Sequence, residues 1–171
     1  MKRVIHFLLI VLLTVGCSQK DNHRNLLDEF MNTIEESNVQ IEDIYHAEIV
    51  RDGVLVFYRN QIGLAVGFLR QKQGNWEWVA GGQSVQIKSE SDLIWSAINL
   101  DEVPLYLFCG VINNSEIEQI KTQKPNGSLL ENAKIIQTKE NMKIWFTTYE
   151  MPVNTPFDVI ATTEDGRVLY P

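Results

Sequence analysis

The chain has 171 residues, of which 44% are hydrophobic and 22% are charged, and its formal net charge at pH 7 is −7. The apolar content is that of a folded protein and excludes a chain that is disordered throughout. The excess of acidic residues leaves little cationic surface for phosphate groups, so we expect no nucleic-acid partner.

Residues 1–16 have the pattern of an export signal. Lys2 and Arg3 form a basic end, and residues 4–13 are a mostly apolar run that ends before the polar segment beginning at Ser18. A helix needs about 20 apolar residues to cross a bilayer, so this run is too short for a permanent span. Removal of the signal takes both basic residues away and makes the remaining chain more acidic.

The signal ends in Leu13-Thr14-Val15-Gly16-Cys17, which resembles the lipobox of bacterial lipoproteins, where small or aliphatic residues precede an invariant cysteine. The resemblance implies cleavage between Gly16 and Cys17, a diacylglyceryl group on the Cys17 thiol and acylation of the new amino terminus. Thr14 stands where the family usually has Leu. The alternatives are an ordinary signal peptide cleaved elsewhere and an uncleaved anchor.

A lipid on Cys17 implies a location for the protein. One acyl chain binds a bilayer only marginally, so stable attachment takes two or three chains of the palmitate type. The expected partner of Cys17 is therefore the lipid bilayer, on the extracytoplasmic face of the cell membrane or, in a diderm cell, of the outer membrane. Because the domain is acidic, anionic head groups should repel it, and the anchor depends on the acyl chains alone.

Residues 17–24 are polar and predict a lipidated tether, after which an amphipathic helix is expected over residues 25–37. Apolar residues recur at helical spacing, and acidic and amide residues fill the other face. Asn25 is a suitable N-cap, and Asp28 suits the first turn. The apolar stripe consists of Leu26, Leu27, Phe30, Met31 and Ile34.

Four β-rich runs separated by turn residues follow the helix and predict an antiparallel meander that ends at Gly81-Gly82. The runs are residues 44–50, 54–59, 63–70 and 76–80. One face of this meander is the nearest surface that could cover the apolar stripe of the helix. Gly63 and Gly67 lie in the third run, where we expect them to permit a bulge or a close approach.

Residues 83–103 are predicted to connect two halves, with a short helix or an irregular segment over residues 91–100. Residues 104–171 contain short strand-like runs between turns, which is typical of a sandwich or a curled sheet. The runs are residues 105–112, 117–122, 133–138, 143–149, 157–163 and 168–170. The predicted fold class is α+β: an N-terminal helix on an antiparallel β-meander, followed by a mainly β, sandwich-like C-terminal half. Residues 25–82 and 104–171 could also form one continuous domain.

The second half has an apolar strand that ends in Gly-hydrophobic-Ile and a Glu-Asp-Gly turn before the last strand. The segments concerned are residues 109–112, 117–120, 143–146, 158–161 and 164–170. In these features it resembles small lipoproteins of Gram-positive bacilli for which no activity is known. The resemblance favours the single membrane of a Gram-positive cell and transfers no functional residue.

Catalytic and metal-binding patterns are scarce. After the signal, the only histidines are His23 and His46, which are too few for a His-rich zinc site. One hypothesis is catalysis by His46 with Asp43 or Cys109, but no Gly-x-Ser-x-Gly elbow accompanies these residues. We expect no metal and no cofactor, and we interpret Cys109 as a buried free thiol.

Acidic residues form several pairs, at residues 35–36, 42–43, 90–92 and 101–102. Paired carboxylates serve glycoside hydrolysis only at a defined separation, which a sequence does not show. The pairs also lack the alternating ligands of a calcium loop. Solvated turns and helix faces explain them most simply.

Trp76-Glu77-Trp78 is the pattern most suggestive of binding, because strand alternation places both indoles on one face. Such a face could stack on sugar rings or on an apolar group of a partner. It could also be core beneath the apolar stripe of the helix, which is the simpler interpretation.

These patterns predict a membrane-anchored cell-envelope lipoprotein. Its domain is expected to be a non-catalytic binding module for an envelope protein or a cell-wall component. The alternatives are an extracytoplasmic hydrolase-like enzyme that uses dispersed carboxylates or His46, and a structural or immunity-type protein.

Overall fold

The computed structural model describes residues 25–124, 130–153 and 156–170. Within these ranges the chain forms one helix and thirteen strands, which make three antiparallel sheets. In chain order the elements are α1 (Leu26–Glu36), β1 (Asp43–Val50), β2 (Gly53–Arg59), β3 (Gly63–Lys72), β4 (Asn75–Gly81), β5 (Val85–Gln86), β6 (Leu93–Leu100), β7 (Leu105–Ile112), β8 (Gln119–Gln123), β9 (Glu131–Asn132), β10 (Lys134–Gln137), β11 (Lys143–Tyr149), β12 (Asp158–Thr162) and β13 (Val168–Tyr170).

Helix α1 begins where the sequence predicts it. The Asn25 side-chain oxygen accepts a hydrogen bond from the backbone N–H of Leu27 at 3.2 Å and so caps the first turn, which contains Asp28. Phe30 and Ile34 are buried against the first sheet. The predicted amphipathic helix and its packing on the meander are confirmed.

Sheet A contains β1, β2, β3 and β4 in that order, and β5 pairs with β3. All of these neighbours are antiparallel, and the tight turn between β1 and β2 places Val50 opposite Gly53. Arg51, in this turn, has a φ of 49°, in the left-handed region. The predicted four-stranded meander is confirmed, with β5 as an addition.

The prediction for residues 83–103 is wrong in its secondary structure. Residues 91–100 do not form a short helix or an irregular segment, because β6 pairs with β7 from Leu93 opposite Ile112 to Leu100 opposite Leu105. Upstream, β5 extends sheet A. This segment therefore contributes a strand to each of two sheets and does more than connect two halves.

The physical reason lies in the two faces of β6. Ile98 and Leu100 belong to the cluster shared with sheet A, whereas Leu93 and Trp95 belong to the cluster on the other face of β6. A strand that is covered on both faces has apolar residues on both, so its sequence lacks simple alternation. The same spacing also suits a short helix, and only pairing with β7 decides between them.

Sheet B has the strand order β10-β11-β7-β6, and sheet C has the order β13-β12-β8-β9. The layers follow one another as α1, sheet A, sheet B and sheet C, because each neighbouring pair of layers shares a cluster of buried apolar side chains. Sheets B and C form the sandwich-like C-terminal half that the sequence predicts.

Strand β7 shows why the central sheets have continuous apolar runs. All eight of its residues are buried. Leu107 and Cys109 face sheet A, whereas Tyr106 and Phe108 face sheet C. Since side chains alternate between the two faces of a strand, a strand covered on both sides needs apolar residues at every position.

Residues 25–82 and 104–171 share one core. Phe57 of β2 belongs to the same buried cluster as Leu107 of β7 and Phe146 of β11. The centroids of the Phe57 and Phe146 rings are 4.6 Å apart. Sheets A and B of the described chain are therefore joined by one cluster of buried apolar side chains.

Candidate functional site

The sites predicted from the signal lie outside the described residues. They are the lipidation site at Cys17, the cleavage site after Gly16, and His23 in the tether. Each stays a prediction from the sequence. In the part of the chain that the structure describes, no helix has the length and apolar character needed to span a membrane.

Trp76 and Trp78 pack beneath helix α1. The Trp76 ring meets the Phe30 ring edge-on with centroids 4.9 Å apart, and Trp78 lies 6.1 Å from Tyr58 in the same cluster. A β-carbon on Gly67 would come within 1.9 Å of Cη2 of Trp78, so this glycine makes room for the indole. The two indoles, partly buried, present their shared face to the helix, which supports the interpretation as core.

His46 is held at the rim between sheets A and B. Its Nε2 lies 2.8 Å from Oε2 of Glu48, and the same oxygen accepts a hydrogen bond from Nζ of Lys134 at 2.5 Å. The imidazole centroid is 6.1 Å from the Phe57 ring and 6.0 Å from the Phe146 ring. Burial raises the pKa of Glu48, but hydrogen bonds and charges from Lys134 and His46 outweigh burial and hold it below its ordinary value. This geometry is that of an ion-paired contact between β1 and β10.

Asp43 and Cys109, the candidate catalytic partners of His46, lie in different environments from its own. The Asp43 carboxylate accepts a hydrogen bond from the backbone N–H of Ile44 at 2.8 Å. Cys109 is a free, fully buried cysteine, and burial raises the pKa of its thiol to about 12, so the thiol is protonated at neutral pH. Among the described residues, no hydrogen bond joins His46 to either of them. The buried free thiol predicted at Cys109 is confirmed.

The predicted acidic pairs lie at the end of α1 and in segments next to strands. Asp92, for example, accepts a hydrogen bond from Nδ2 of Asn114 at 3.3 Å, and Asp101 and Glu102 are exposed between β6 and β7. Over the described ranges, no three or more His, Cys, Asp or Glu side chains are grouped so that they could hold a metal ion. Glu42 differs from the others because it lines a groove.

This open groove lies at one end of sheets A and B and has a volume of about 660 Å³. Sites for small molecules have volumes of about 300–1,000 Å³. Four separate segments form its walls: the start of β1, the turn between β2 and β3, the residues around the end of β5, and the turn between β10 and β11. The groove thus depends on the contact between the two sheets.

A β-bulge places Tyr45 at the groove. In the pairing of β1 with β2, Ile44 lies opposite Tyr58 and His46 lies opposite Phe57, so Tyr45 is the extra residue of the ladder. Bulges bend a strand locally and re-aim a side chain, and they are common at sheet edges, where β1 lies. Tyr45 accordingly lines the groove.

Arg59 connects the walls of the groove. Its Nε lies 2.9 Å from Oε2 of Glu42, and its Nη1 lies 3.0 Å from both carboxylate oxygens of Glu140. The Tyr45 hydroxyl lies 3.5 Å from Oε2 of Glu140. Burial, together with the Glu140 charge, raises the pKa of Tyr45, so its phenol is protonated at neutral pH and can donate a hydrogen bond. These contacts orient the four polar side chains.

The turn between β2 and β3 forms another part of the wall. Oδ1 of Asn60 accepts hydrogen bonds from the backbone N–H groups of Ile62 and Gly63, both at 2.9 Å, and its Nδ2 donates to Ser84 at 2.8 Å. A β-carbon on Gly63 would come within 2.1 Å of the Val85 carbonyl oxygen, so the close approach of β5 requires glycine here. The turn is therefore held in shape by its own hydrogen bonds.

Reasoning from the sequence did not identify this groove. Its lining residues are spread from Glu42 to Met142 and lie mostly in turns, so no local motif connects them. The nearest local signal is Asn60 followed by Gly63, which marks a tight turn but not a binding site. Packing of sheets A and B brings these distant segments together, and the ion pairs of Arg59 connect them.

Comparisons with known proteins gave no relative for this chain. No protein-family model, no curated protein and no solved structure matches it.

Proposed function

We propose that this protein is a cell-envelope lipoprotein, anchored through acylated Cys17 on the extracytoplasmic face of a membrane, whose β-rich domain is a non-catalytic binding module. The observation that carries the proposal is the order of three sequence features: the basic end at Lys2 and Arg3, the apolar run 4–13 and the lipobox-like segment that ends at Cys17. Each is expected of a lipoprotein precursor.

The length of the tether supports a domain held close to its membrane. The eight residues 17–24 separate the proposed lipid from the cap of α1. Fully extended, they would reach at most about 29 Å. The acidic domain would be displayed within that distance of the bilayer, where an envelope protein or a cell-wall component is the available partner.

The surroundings of the candidate catalytic groups favour binding over catalysis. Nε2 of His46 contacts the Glu48 carboxylate, which Lys134 also contacts, and the Cys109 thiol is buried and protonated. A general base needs to reach the proton that it removes, and a nucleophilic cysteine needs a thiolate. No contact described for these residues favours the hydrolase alternative.

Labelling with a radioactive fatty acid tests the anchor. Cells that make the wild-type chain should incorporate the label and retain the protein in the membrane fraction, whereas Cys17→Ala should lose essentially all label and release or mislocalise the protein. Cys109→Ala is the matched control, because it removes the other cysteine and should keep the label. Label that persists in Cys17→Ala would contradict the proposed site.

A second experiment tests the binding role. Crosslinking on whole cells should join the wild-type chain to an envelope protein or to wall material. Turnover of a wall or lipid substrate by the purified full chain, with no crosslinked partner, would favour the hydrolase instead.

A further inference from the structure

The groove has a defined position relative to helix α1. The chain enters α1 at Leu26, the end nearest the tether, and leaves it at Glu36. An α-helix rises 1.5 Å per residue, so its ends are about 16 Å apart. Beside the C-terminal end of α1, Glu35 and residues 38–41 line a second depression that shares Glu42 and Gln61 with the groove. The groove therefore lies near the end of α1 that is farther from the point where the proposed tether joins the domain.

The charges of the groove balance. Arg59 and Lys88 are cationic, and Glu42 and Glu140 are anionic. A phosphorylated or polyanionic ligand is attracted by an excess of positive charge, which this groove does not have. Balanced charges of both signs, with spare hydrogen-bonding capacity, suit a ligand that is neutral and rich in polar groups.

Several side chains at the groove have free hydrogen-bonding groups. Gln61, Gln86 and Lys88 are exposed and make no side-chain hydrogen bond with any other described residue. A side-chain amide has both a donor and an acceptor, so it can donate a hydrogen bond to a hydroxyl or acetamido group or accept one from it. The Tyr45 ring and the partly buried Met142 add apolar surface beside them. Such a combination fits sugar rings, which present C–H groups on their faces and hydroxyl groups at their edges.

The backbone around the groove is poorly suited to an extended peptide. Peptides that add to a sheet need a regular strand edge with free N–H and C=O groups. Turns form most of this groove, and the bulge at Tyr45 interrupts the edge of β1 where it borders the groove. Recognition by side chains, as in sugar binding, does not need such an edge.

We propose that this groove binds a neutral oligosaccharide that carries acetamido groups, such as a chain of N-acetylhexosamine units in a cell wall. A sugar face packs on the Tyr45 ring, and Gln61 and Gln86 hydrogen-bond to hydroxyl and acetamido groups. The acetamido methyl group packs against the apolar side chain of Met142. The proposal deepens the proposed binding function by naming its site and its ligand class.

Titration of the purified full chain with tetra-N-acetylchitotetraose tests this site, with calorimetry as the readout and a detergent that has no sugar head group. The wild-type chain should show saturable binding. Ile62→Asp adds a charge at a groove residue that is 66% exposed, and it should weaken binding about tenfold or more, because the ligand must displace water from an unpaired carboxylate. Ile49→Asp makes the same change at a residue that is 82% exposed and outside the groove, and it should bind like wild type.

Cellotetraose, which has the same linkage without acetamido groups, should bind about tenfold more weakly than tetra-N-acetylchitotetraose. The site assignment is overturned if the acetylated sugar does not bind, or if Ile62→Asp and Ile49→Asp bind it equally well. The ligand class is overturned if a neutral oligopeptide binds and the sugar does not. None of these titrations depends on lipidation, so fatty-acid labelling can fail or succeed independently of them.

Discussion

The contact between sheets A and B, the inner interface, differs in chemistry from the contact between sheets B and C, the outer interface. The inner interface consists of apolar side chains such as Leu107, with ion pairs at its rim. The outer interface is also apolar, but it buries the hydroxyl groups of Thr122, Thr147 and Tyr149. Its Trp145 indole N–H is buried without a hydrogen-bond partner among the described residues.

The two interfaces are specified by different interactions. Apolar burial has no preferred direction, so the inner interface gains stability mainly from area and packing. A buried hydroxyl loses its water and has to pair, and pairing fixes where its strand can lie. The Thr122 hydroxyl contacts both Thr147 and Tyr149, so these hydrogen bonds fix the position of β8 on β11.

The largest expected effect is in the inner interface. Leu107 is fully buried, so Leu107→Ala should lower the free energy of unfolding by about 2–5 kcal/mol, through lost apolar burial and the cavity left behind. Leu130→Ala is the matched control, because Leu130 is 51% exposed and should change stability by about 0.5 kcal/mol or less. Urea unfolding of the purified chain measures both. Equal losses would mean that the inner interface is not the principal source of stability.

A smaller effect is expected in the outer interface. Thr122→Val keeps the size of the side chain but removes the hydroxyl that pairs with the Tyr149 hydroxyl. It should therefore lower the free energy of unfolding by about 1–3 kcal/mol. Thr148→Val, at the exposed neighbour on β11, should be close to neutral. A double-mutant cycle with Tyr149→Phe measures the coupling between the two hydroxyls. If the losses were simply additive, the hydrogen bonds would not specify this interface.

The smallest effect is expected at the rim of the inner interface and depends on pH. The pKa of Glu48 is lowered in the folded state, so its carboxylate stabilises the fold above the ordinary value of 4.5, and this contribution is lost as the pH falls through the lowered pKa. Glu48→Gln should therefore lower the free energy of unfolding by about 0.5–1 kcal/mol at pH 7 and by less in acid, as measured by urea unfolding at several pH values.

Glu77→Gln is the control for the rim, because the Glu77 side chain is exposed and its Oε2 lies 3.6 Å from Nζ of the exposed Lys72. A cost for Glu48→Gln that stayed constant from pH 7 to acid would show that the carboxylate charge is not what stabilises the rim. If Glu48→Gln lowered the free energy of unfolding as much as Leu107→Ala, the rim would stabilise the inner interface as strongly as its apolar centre does.

Local patterns were sufficient to predict α1 and the first four strands. The stripe through Phe30 and Ile34, the cap at Asn25 and the turn between the runs 44–50 and 54–59 each act within a few residues, and the structure has them as expected. The face of Trp76 and Trp78 was predicted from strand alternation, but its covering by α1 was one of two alternatives. Burial against a helix is a long-range contact, and alternation alone does not show which surface covers a face.

Strand β6 could not be predicted because its spacing suits both a helix and a strand. Leu93, Trp95 and Ile98 divide between two clusters on opposite faces, so the usual alternation is absent. The groove was missed for a related reason. The pairing of β1 with β2 brings Tyr45 and Arg59 together, but Glu140 meets them only because sheets A and B pack together.

Sequence patterns alone predicted α1 and strands β1 to β4, and they are the whole basis of the proposed export signal and lipid anchor. Helix periodicity, caps, turns and a lipobox-like segment are all written within short stretches of chain. Only the tertiary structure decided that β6 is a strand, that the two halves share a core and that a groove opens at the end of sheets A and B. These features depend on contacts between distant residues, whose pairing follows from packing the whole chain and not from any one segment of it.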